Sequence, residues 1–170
     1  MLEGGIWMGN RKLRLLFTLI PIALMVMIFL LSAQPGEESA IFSGSITEHI
    51  ARFLDERFDR YSEQRQAIIV SFLDRVTRKV AHFSEYALLA FFLRLWWETM
   101  VRRHASLLAW LCATVYAATD ELHQLFVSGR GASIKDVCID SSGALFGALL
   151  GFVLVALLAR RRARKERENA

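Results

Sequence analysis

Residues 137–159 read VCIDSSGALFGALLGFVLVALLA, a run of 23 positions in which Asp140 is the single charged residue. At about 1.5 Å of rise per residue, a helix of this length covers the roughly 30 Å of hydrocarbon in a bilayer. Its glycines, Gly143, Gly147 and Gly151, repeat as GxxxGxxxG, the small-residue spacing that lets a second helix approach closely. Asp136 and Asp140 extend the stripe towards the start of the run. A helix that packs on the glycines, expected to be the third apolar run, therefore meets both carboxylates.

Three further apolar runs precede it: Leu15 to Leu31, Val80 to Trp97, and Ala105 to about Val127. With 54% hydrophobic residues, two prolines and a mean hydropathy of +0.33, the chain reads as a small polytopic membrane protein of one domain. Only helices and closed barrels satisfy their backbone groups in lipid, and runs of this length imply helices. The expected fold is all-α, a four-transmembrane-helix bundle over residues 1–170 with spans at about 13–31, 79–97, 105–127 and 137–159. An uncleaved first helix is preferred to a signal peptide, because about 17 apolar residues exceed the usual h-region and no small-x-small cleavage site follows.

The formal charge of +4 and pI near 9.4 do not require a nucleic-acid partner, because the basic residues lie where a topology signal places them. Arg11, Lys12 and Arg14 precede the first run, Arg102 and Arg103 separate the second from the third, and Arg160, Arg161, Arg162, Arg164, Lys165 and Arg167 follow the fourth. The positive-inside rule makes both termini and the middle loop cytoplasmic. Lys79, His82 and Glu85, then Asp120 to Gln124, then Asp136 and Asp140 all fall at the outer ends of their helices. Charges at membrane depth cost roughly 2.5 to 3.5 kcal/mol each, so their agreement across three helices marks one extracytoplasmic site.

On the second span Lys79, His82, Glu85 and Tyr86 share a face, with His82 and Glu85 adjacent at i,i+3. A carboxylate there can fix the imidazole tautomer for acid or base work near neutrality. On the third span Asp120, His123 and Gln124 share a face, while Glu121 points about 100° away, towards another helix or the headgroups. These types could also ligate a divalent metal, although no dedicated zinc spacing is present. Arg130, in the glycine-bearing loop 128–133, either grips a phosphate or carboxylate with a bidentate fork or neutralises Asp120, Asp136 or Asp140.

Between the first two spans, about 41–77, Ile46, Ile50, Phe53, Leu54, Phe58 and Tyr61 form one apolar stripe, and Ile69, Phe72, Leu73 and Val76 a second. Both read as extracytoplasmic amphipathic helices, either a folded loop or a lid over the polar cluster. Cys112 and Cys138 lie at different depths, so they are expected to stay unpaired and to pack in the interior.

Several motifs in one order resemble the VanZ-like family of bacterial membrane proteins, named for a teicoplanin-resistance protein, over nearly the whole chain. They are Ser32-Ala33-Gln34-Pro35-Gly36; Arg78-Lys79-Val80-Ala81-His82-Phe83-Ser84-Glu85-Tyr86 through Leu89; Asp120-Glu121-Leu122-His123-Gln124-Leu125-Phe126; Gly129-Arg130; and Asp136, Gly143 and Gly147. Ser128 stands where the family commonly has proline, and Asp140 where it commonly has asparagine. The resemblance implies four membrane helices in the bacterial cytoplasmic membrane and an effect on glycopeptide susceptibility.

The function expected is an outward-facing pocket that binds, and could modify, an anionic or lipid-linked envelope precursor. His82, Glu85, Asp120, Glu121 and His123 are the candidate catalytic residues; Lys79, Tyr86, Gln124, Arg130, Asp136, Asp140 and Gln34 are the candidate substrate-binding residues. The alternatives are a non-enzymatic binder or structural modulator of the envelope and, less favoured, a proton-coupled transporter. The Gly143, Gly147 and Gly151 face is also a candidate for oligomerisation.

Overall fold

The computed structural model describes residues 11–169, with only the backbone for residues 37–43; residues 1–10 and 170 of the expected unit lie outside the described residues. Among the described residues the chain is all helical. The order is α1 Arg11–Ser32, α2 Gly36–Leu54, a 3-10 turn at Phe58–Arg60, α3 Glu63–Glu98, α4 Ala105–Gln124 and α5 Ile134–Glu168.

Helix α3 joins the second amphipathic stripe and the second apolar run into one helix of 36 residues. No glycine or proline occurs between Glu63 and Glu98 to end it earlier. Helix α5 continues past the apolar run to Glu168, its last turns held by Arg162–Glu166 and Arg164–Glu168 pairs at i,i+4. Helix α4 stops at Gln124, and Leu125 to Val127 follow in tight turns.

Helices α1 and α5 are long and apolar enough to cross a membrane. Only 22% and 33% of their most apolar windows are buried, whereas the core helix of a water-soluble protein is mostly buried. The outward side chains include Leu15, Leu19, Ile22, Val26 and Leu30 on α1 and Leu145, Phe146, Leu149, Phe152 and Val153 on α5. Such a continuous apolar exterior is what lipid, and not water, tolerates. Helices α3 and α4 are interrupted by charge and do not meet the same measure.

Helix α3 is central and touches each of the other four α-helices. Its closest neighbour is α5, which runs parallel to it in a constant register. A Cβ at Gly143 would overlap the Phe83 carbonyl, one at Gly147 the Ala87 carbonyl, and one at Gly151 would lie 2.9 Å from Arg94 Cγ and 3.3 Å from the Phe91 carbonyl oxygen. Steps of four residues on one helix thus match steps of four on the other. The glycine face is therefore filled by α3, the second apolar run, and not by the third, and it is not left open to a second copy of the chain.

Helix α4 contributes Ala105, Ala109, Ala113 and Ala117, all fully buried at four-residue spacing. Ala109, Ala113 and Ala117, with Ala144 and Ala148, pack around Ile28, Tyr86, Leu89 and Ala90. Towards the other end Phe17, Leu95 and Val155 form a second cluster, and Trp96 Nε1 donates to Thr18 Oγ1 at 3.1 Å. Just beyond it Arg94 and Glu98 make a buried ion pair of 2.7 Å, completed by Arg94 Nε to Ser106 at 2.8 Å and by Arg102 to Glu98 at 3.2 Å. Removing one partner of such a pair costs about 3–5 kcal/mol, because a charge is left buried and alone.

The cysteines correct one expectation. Cys112 and Cys138 are unpaired and exposed on the bundle surface rather than packed inside. Cys112 lies about 100° around α4 from buried Ala113, and Cys138 about 200° around α5 from buried Asp140.

The α2 stripe is also rotated from its expected position. Thr47 and Ala51 are the buried positions, while Ile46, Phe53 and Leu54 are exposed. Helix α2 packs on the first half of α3, where Ile69 and Leu73 join Ala51 and buried Phe58 along an apolar groove of about 310 Å³. At the corner Asp55 accepts from the Arg57 amide at 2.9 Å and from the Tyr61 hydroxyl at 2.8 Å. Those bonds, the Arg57 amide first, hold its carboxyl below the usual range. The carboxylate's contribution to stability is then fully present above its unfolded pKa and is lost as pH falls through the depressed folded value.

Two measurements check this architecture. Gly147→Ala should lower the unfolding temperature of the purified protein in detergent by the equivalent of about 3 kcal/mol, at the upper end for overpacking; an unchanged temperature would refute the tight α3–α5 contact. Hydrogen exchange at the Arg57 amide should accelerate in the wild type, relative to Asp55→Asn, as pH falls through the depressed Asp55 value, and the variant's exchange should lack that acid step.

Candidate functional site

The polar residues of α3, α4 and α5 do meet. Where α1 ends and α5 begins, a cavity of about 500 Å³ opens between five segments: Leu31 to Gly36, Arg75 to Glu85 on α3, Glu121 and Gln124 on α4, the loop 129–131, and Asp136 to Asp140 on α5. This is within the roughly 300–1,000 Å³ typical of small-molecule sites.

The close contact of α3 and α5 sets the cavity wall. Continuing one turn past Gly143, it brings His82 Nδ1 to 3.9 Å from Asp140 Oδ1, and further on Lys79 Nζ to 3.2 Å from Asp136 Oδ1. The latter is a direct ion pair. The former is beyond hydrogen-bond reach, so His82 Nδ1 and both oxygens of Asp140 are left without partners, although Asp140 is only 1% exposed. Among the described residues His82 has no bond to Glu85, so the tautomer-fixing pair expected from i,i+3 spacing is replaced by an approach to Asp140 across the helix interface.

Arg130 takes a third course, different from both expectations. Its Nε donates to the Gln34 carbonyl at 2.9 Å and its Nη2 to the Leu31 carbonyl at 3.2 Å. Helix ends leave such carbonyls without partners, and a cation there also complements the helix dipole. The guanidinium thereby fastens the loop to the end of α1 while still lining the cavity. Partial burial lowers its pKa, countered in part by Asp120, but an arginine remains charged. The loop reaches this position through Gly129, whose φ of 73° is the left-handed conformation that favours glycine. The Ser128 carbonyl accepts from the Gly36 amide at 3.0 Å, and a side chain at Gly36 would collide with Gly129.

Of the twelve sequence-selected residues, Gln34, Lys79, His82, Glu85, Glu121, Gln124, Arg130, Asp136 and Asp140 line the cavity. The other three lie behind it. Asp120, 4% exposed, accepts from Ser32 Oγ at 2.7 Å and from Gln124 Nε2 at 3.2 Å, locking α1 to α4. Tyr86 is fully buried beside Tyr116, and His123 lies against Phe29 with ring centroids 4.6 Å apart. Glu121, expected to point away, reaches the wall because its Oε2 accepts the Ser133 amide at the start of α5, at 2.8 Å.

Arg75 and Ser32 line the cavity without having been selected. Arg75 was detectable: Arg75, Arg78, Lys79 and His82 fall at i, i+3, i+4 and i+7, one turn beyond the assumed start of the span. Helix α2 contributes Gly36 to the described lining. As for a metal, no group of three His, Cys, Asp or Glu side chains among the described residues is arranged to hold one.

A helical bundle with an apolar exterior and a charged cavity at one end fits a membrane protein. The chain belongs to the VanZ/LLP1 family, whose model matches residues 17–157 and so includes every residue of the site. No curated protein and no solved structure matches the chain.

The contact pattern separates residues that hold the fold from those free to act. Ser32→Ala, which leaves buried Asp120 with Gln124 alone, should destabilise the detergent-solubilised protein by about 1–3 kcal/mol. His82→Ala, which removes no hydrogen bond, should shift the unfolding temperature much less; the reverse order would overturn this division.

Proposed function

We propose that the protein is a four-span component of the bacterial cytoplasmic membrane whose outward cavity binds an anionic or lipid-linked component of the cell envelope. In this reading α1, α4, the apolar stretch of α5 and α3 from about residue 79 onward cross the bilayer, and both termini are cytoplasmic. The observation that carries it is the cavity itself, lined by five segments distant in sequence, four of which contribute charged side chains at one end of an apolar bundle.

Two features support the orientation. Arg11 to Arg14, Arg102 and Arg103, and the arginines after Ala159 all belong to the end marked by the Phe17–Leu95–Val155 cluster. The cavity occupies the other end. Under the positive-inside rule it faces outward, where Arg75, Arg78, Lys79 and Arg130 can attract phosphate or carboxylate groups.

Binding without covalent chemistry is the reading the lining favours. Ser32 is the one serine, threonine or cysteine among the described lining residues, and its hydroxyl is committed to Asp120. A nucleophile needs an activating base and access, and Ser32 is 2% exposed. If the bound component is altered, the groups placed to move a proton are His82, Asp140 and Glu85. A transporter is less well supported, because the outer cluster and the inner Arg94–Glu98 pair are separated by the apolar layer around Leu89, Ala90 and Ala148.

The test compares cells carrying wild type, His82→Ala or Glu121→Gln at matched membrane abundance. Altered envelope-lipid composition or teicoplanin susceptibility in the variants is expected. Unchanged phenotypes in well-expressed variants would remove the functional assignment of the cavity. In the same cells, a cysteine at Gln34 should react with a membrane-impermeant maleimide from outside and one at Arg103 should not, with Cys112 and Cys138 replaced by serine.

A further inference from the structure

The charges around the cavity do not cancel locally. Lys79 is paired with Asp136, Arg78 with Asp74 at 3.0 Å, and Glu121 is bonded to the Ser133 amide. What remains is of both signs. Arg75 has no ion-pair partner among the described residues, and Arg130 bonds only backbone carbonyls, so neither positive charge is neutralised by a carboxylate in contact with it. Deeper in, Asp140 lines the cavity with two unpartnered oxygens while 99% buried, Glu85 lines the same cavity with no side-chain hydrogen bond among the described residues, and His82 Nδ1 is also unpartnered.

Buried polar atoms in native proteins are nearly always satisfied, so an orphaned carboxylate lining a cavity points to something that occupies the cavity. An anion alone would satisfy the arginines and worsen the carboxylates. A cation alone would do the opposite. Among the described residues no three ligating side chains are grouped to hold a metal. One ligand that carries both signs satisfies both ends at once.

We propose that the cavity recognises a zwitterionic headgroup, a phosphate joined to a primary ammonium, carried on a lipid. The phosphate sits with Arg75 and Arg130 and the ammonium donates to Asp140 and Glu85, with His82 accepting a further hydrogen bond when neutral. At about 1.5 Å per residue, Arg75 lies about 10 Å above His82 along α3, a span that a flexible arginine side chain shortens towards the length of a phosphoethanolamine. This inference rests on the reading of the cavity as an envelope-lipid site and narrows its substrate class.

The experiment measures binding of short-chain lipids to the purified full-length protein in detergent by native mass spectrometry. The probes are phosphatidylethanolamine, its N-acetylated form, phosphatidylglycerol, and water-soluble glycerophosphoethanolamine. Wild type should bind phosphatidylethanolamine about tenfold more tightly than the N-acetylated form or phosphatidylglycerol, the size expected of a charge-assisted hydrogen bond. Asp140→Asn should erase that preference while retaining binding of phosphatidylglycerol, and Arg75→Gln should weaken all the phosphate probes together. Glycerophosphoethanolamine bound as tightly as the lipid would keep the zwitterion site but assign it a soluble ligand. Equal wild-type affinity for phosphatidylethanolamine and phosphatidylglycerol would overturn the ammonium end while leaving the anionic-lipid reading intact, whereas no binding of any phosphate probe would remove both. Because the lipid comparison is made on the wild type, misfolding of a variant does not obscure the answer.

Discussion

The close parallel contact of α3 and α5 is the constraint on which the other features depend. It is possible because Gly143 and Gly147 present bare backbone to the carbonyls of Phe83 and Ala87, with Gly151 against Phe91 and Arg94 one step further. In lipid, helices gain little from hiding apolar surface, since the tails are as apolar as leucine. Association has to come from dispersion at short range and from weak Cα–H···O contacts, both of which grow as backbones approach. The constant register also fixes which side chains confront each other beyond the glycines. His82 meets Asp140 and Lys79 meets Asp136 because Phe83 meets Gly143.

The two ends of the bundle handle charge in opposite ways. At the end near Phe17, Leu95 and Val155, Arg94, Glu98, Arg102 and Ser106 form a closed set in which each buried charge has a partner at 2.7 to 3.2 Å. Such a set holds helices together and leaves nothing for a ligand. At the cavity end the contacts that hold the frame are peripheral: Asp120 Oδ2 with Ser32 and Gln124, its Oδ1 left without a partner, Arg130 with the end of α1, and Glu121 with the start of α5. They position the frame around a middle that is unsatisfied. Both ends carry buried charge, but among the described residues it is at the cavity end that buried charged side chains with unpartnered atoms line a cavity.

Much of this was legible in the sequence, and the reasons for the rest are geometric. Charge placement told which helix ends share a side, and the glycine spacing announced a tight contact, because both are one-dimensional signals. The partner of that contact was not encoded, since any helix can fill a glycine groove; the second apolar run filled it where the third was expected. Asp120 and His123 were correctly placed on one face of α4, but a helical wheel does not say whether that face meets the cavity or α1. Glu121, about 100° away, lines the cavity, as does Gln124 from the Asp120 face, while Asp120 and His123 lie behind it. Arg75 was overlooked because the span was taken to begin at Lys79, although nothing in the sequence interrupts the helix there.

Asp140 shows how far the argument from packing to function extends. It is 1% exposed in the wall of the cavity. A carboxylate placed there for stability would be expected to have a partner, as Glu98 has at the other end. Asp140 instead has none, in a position held rigidly by the glycine contact one turn below it. An ionised side chain without compensation loses several kcal/mol of hydration, a cost that an asparagine would largely avoid. The proposed zwitterionic headgroup would supply that compensation, its ammonium donating to the Asp140 oxygens that no hydrogen-bond donor of the bundle reaches.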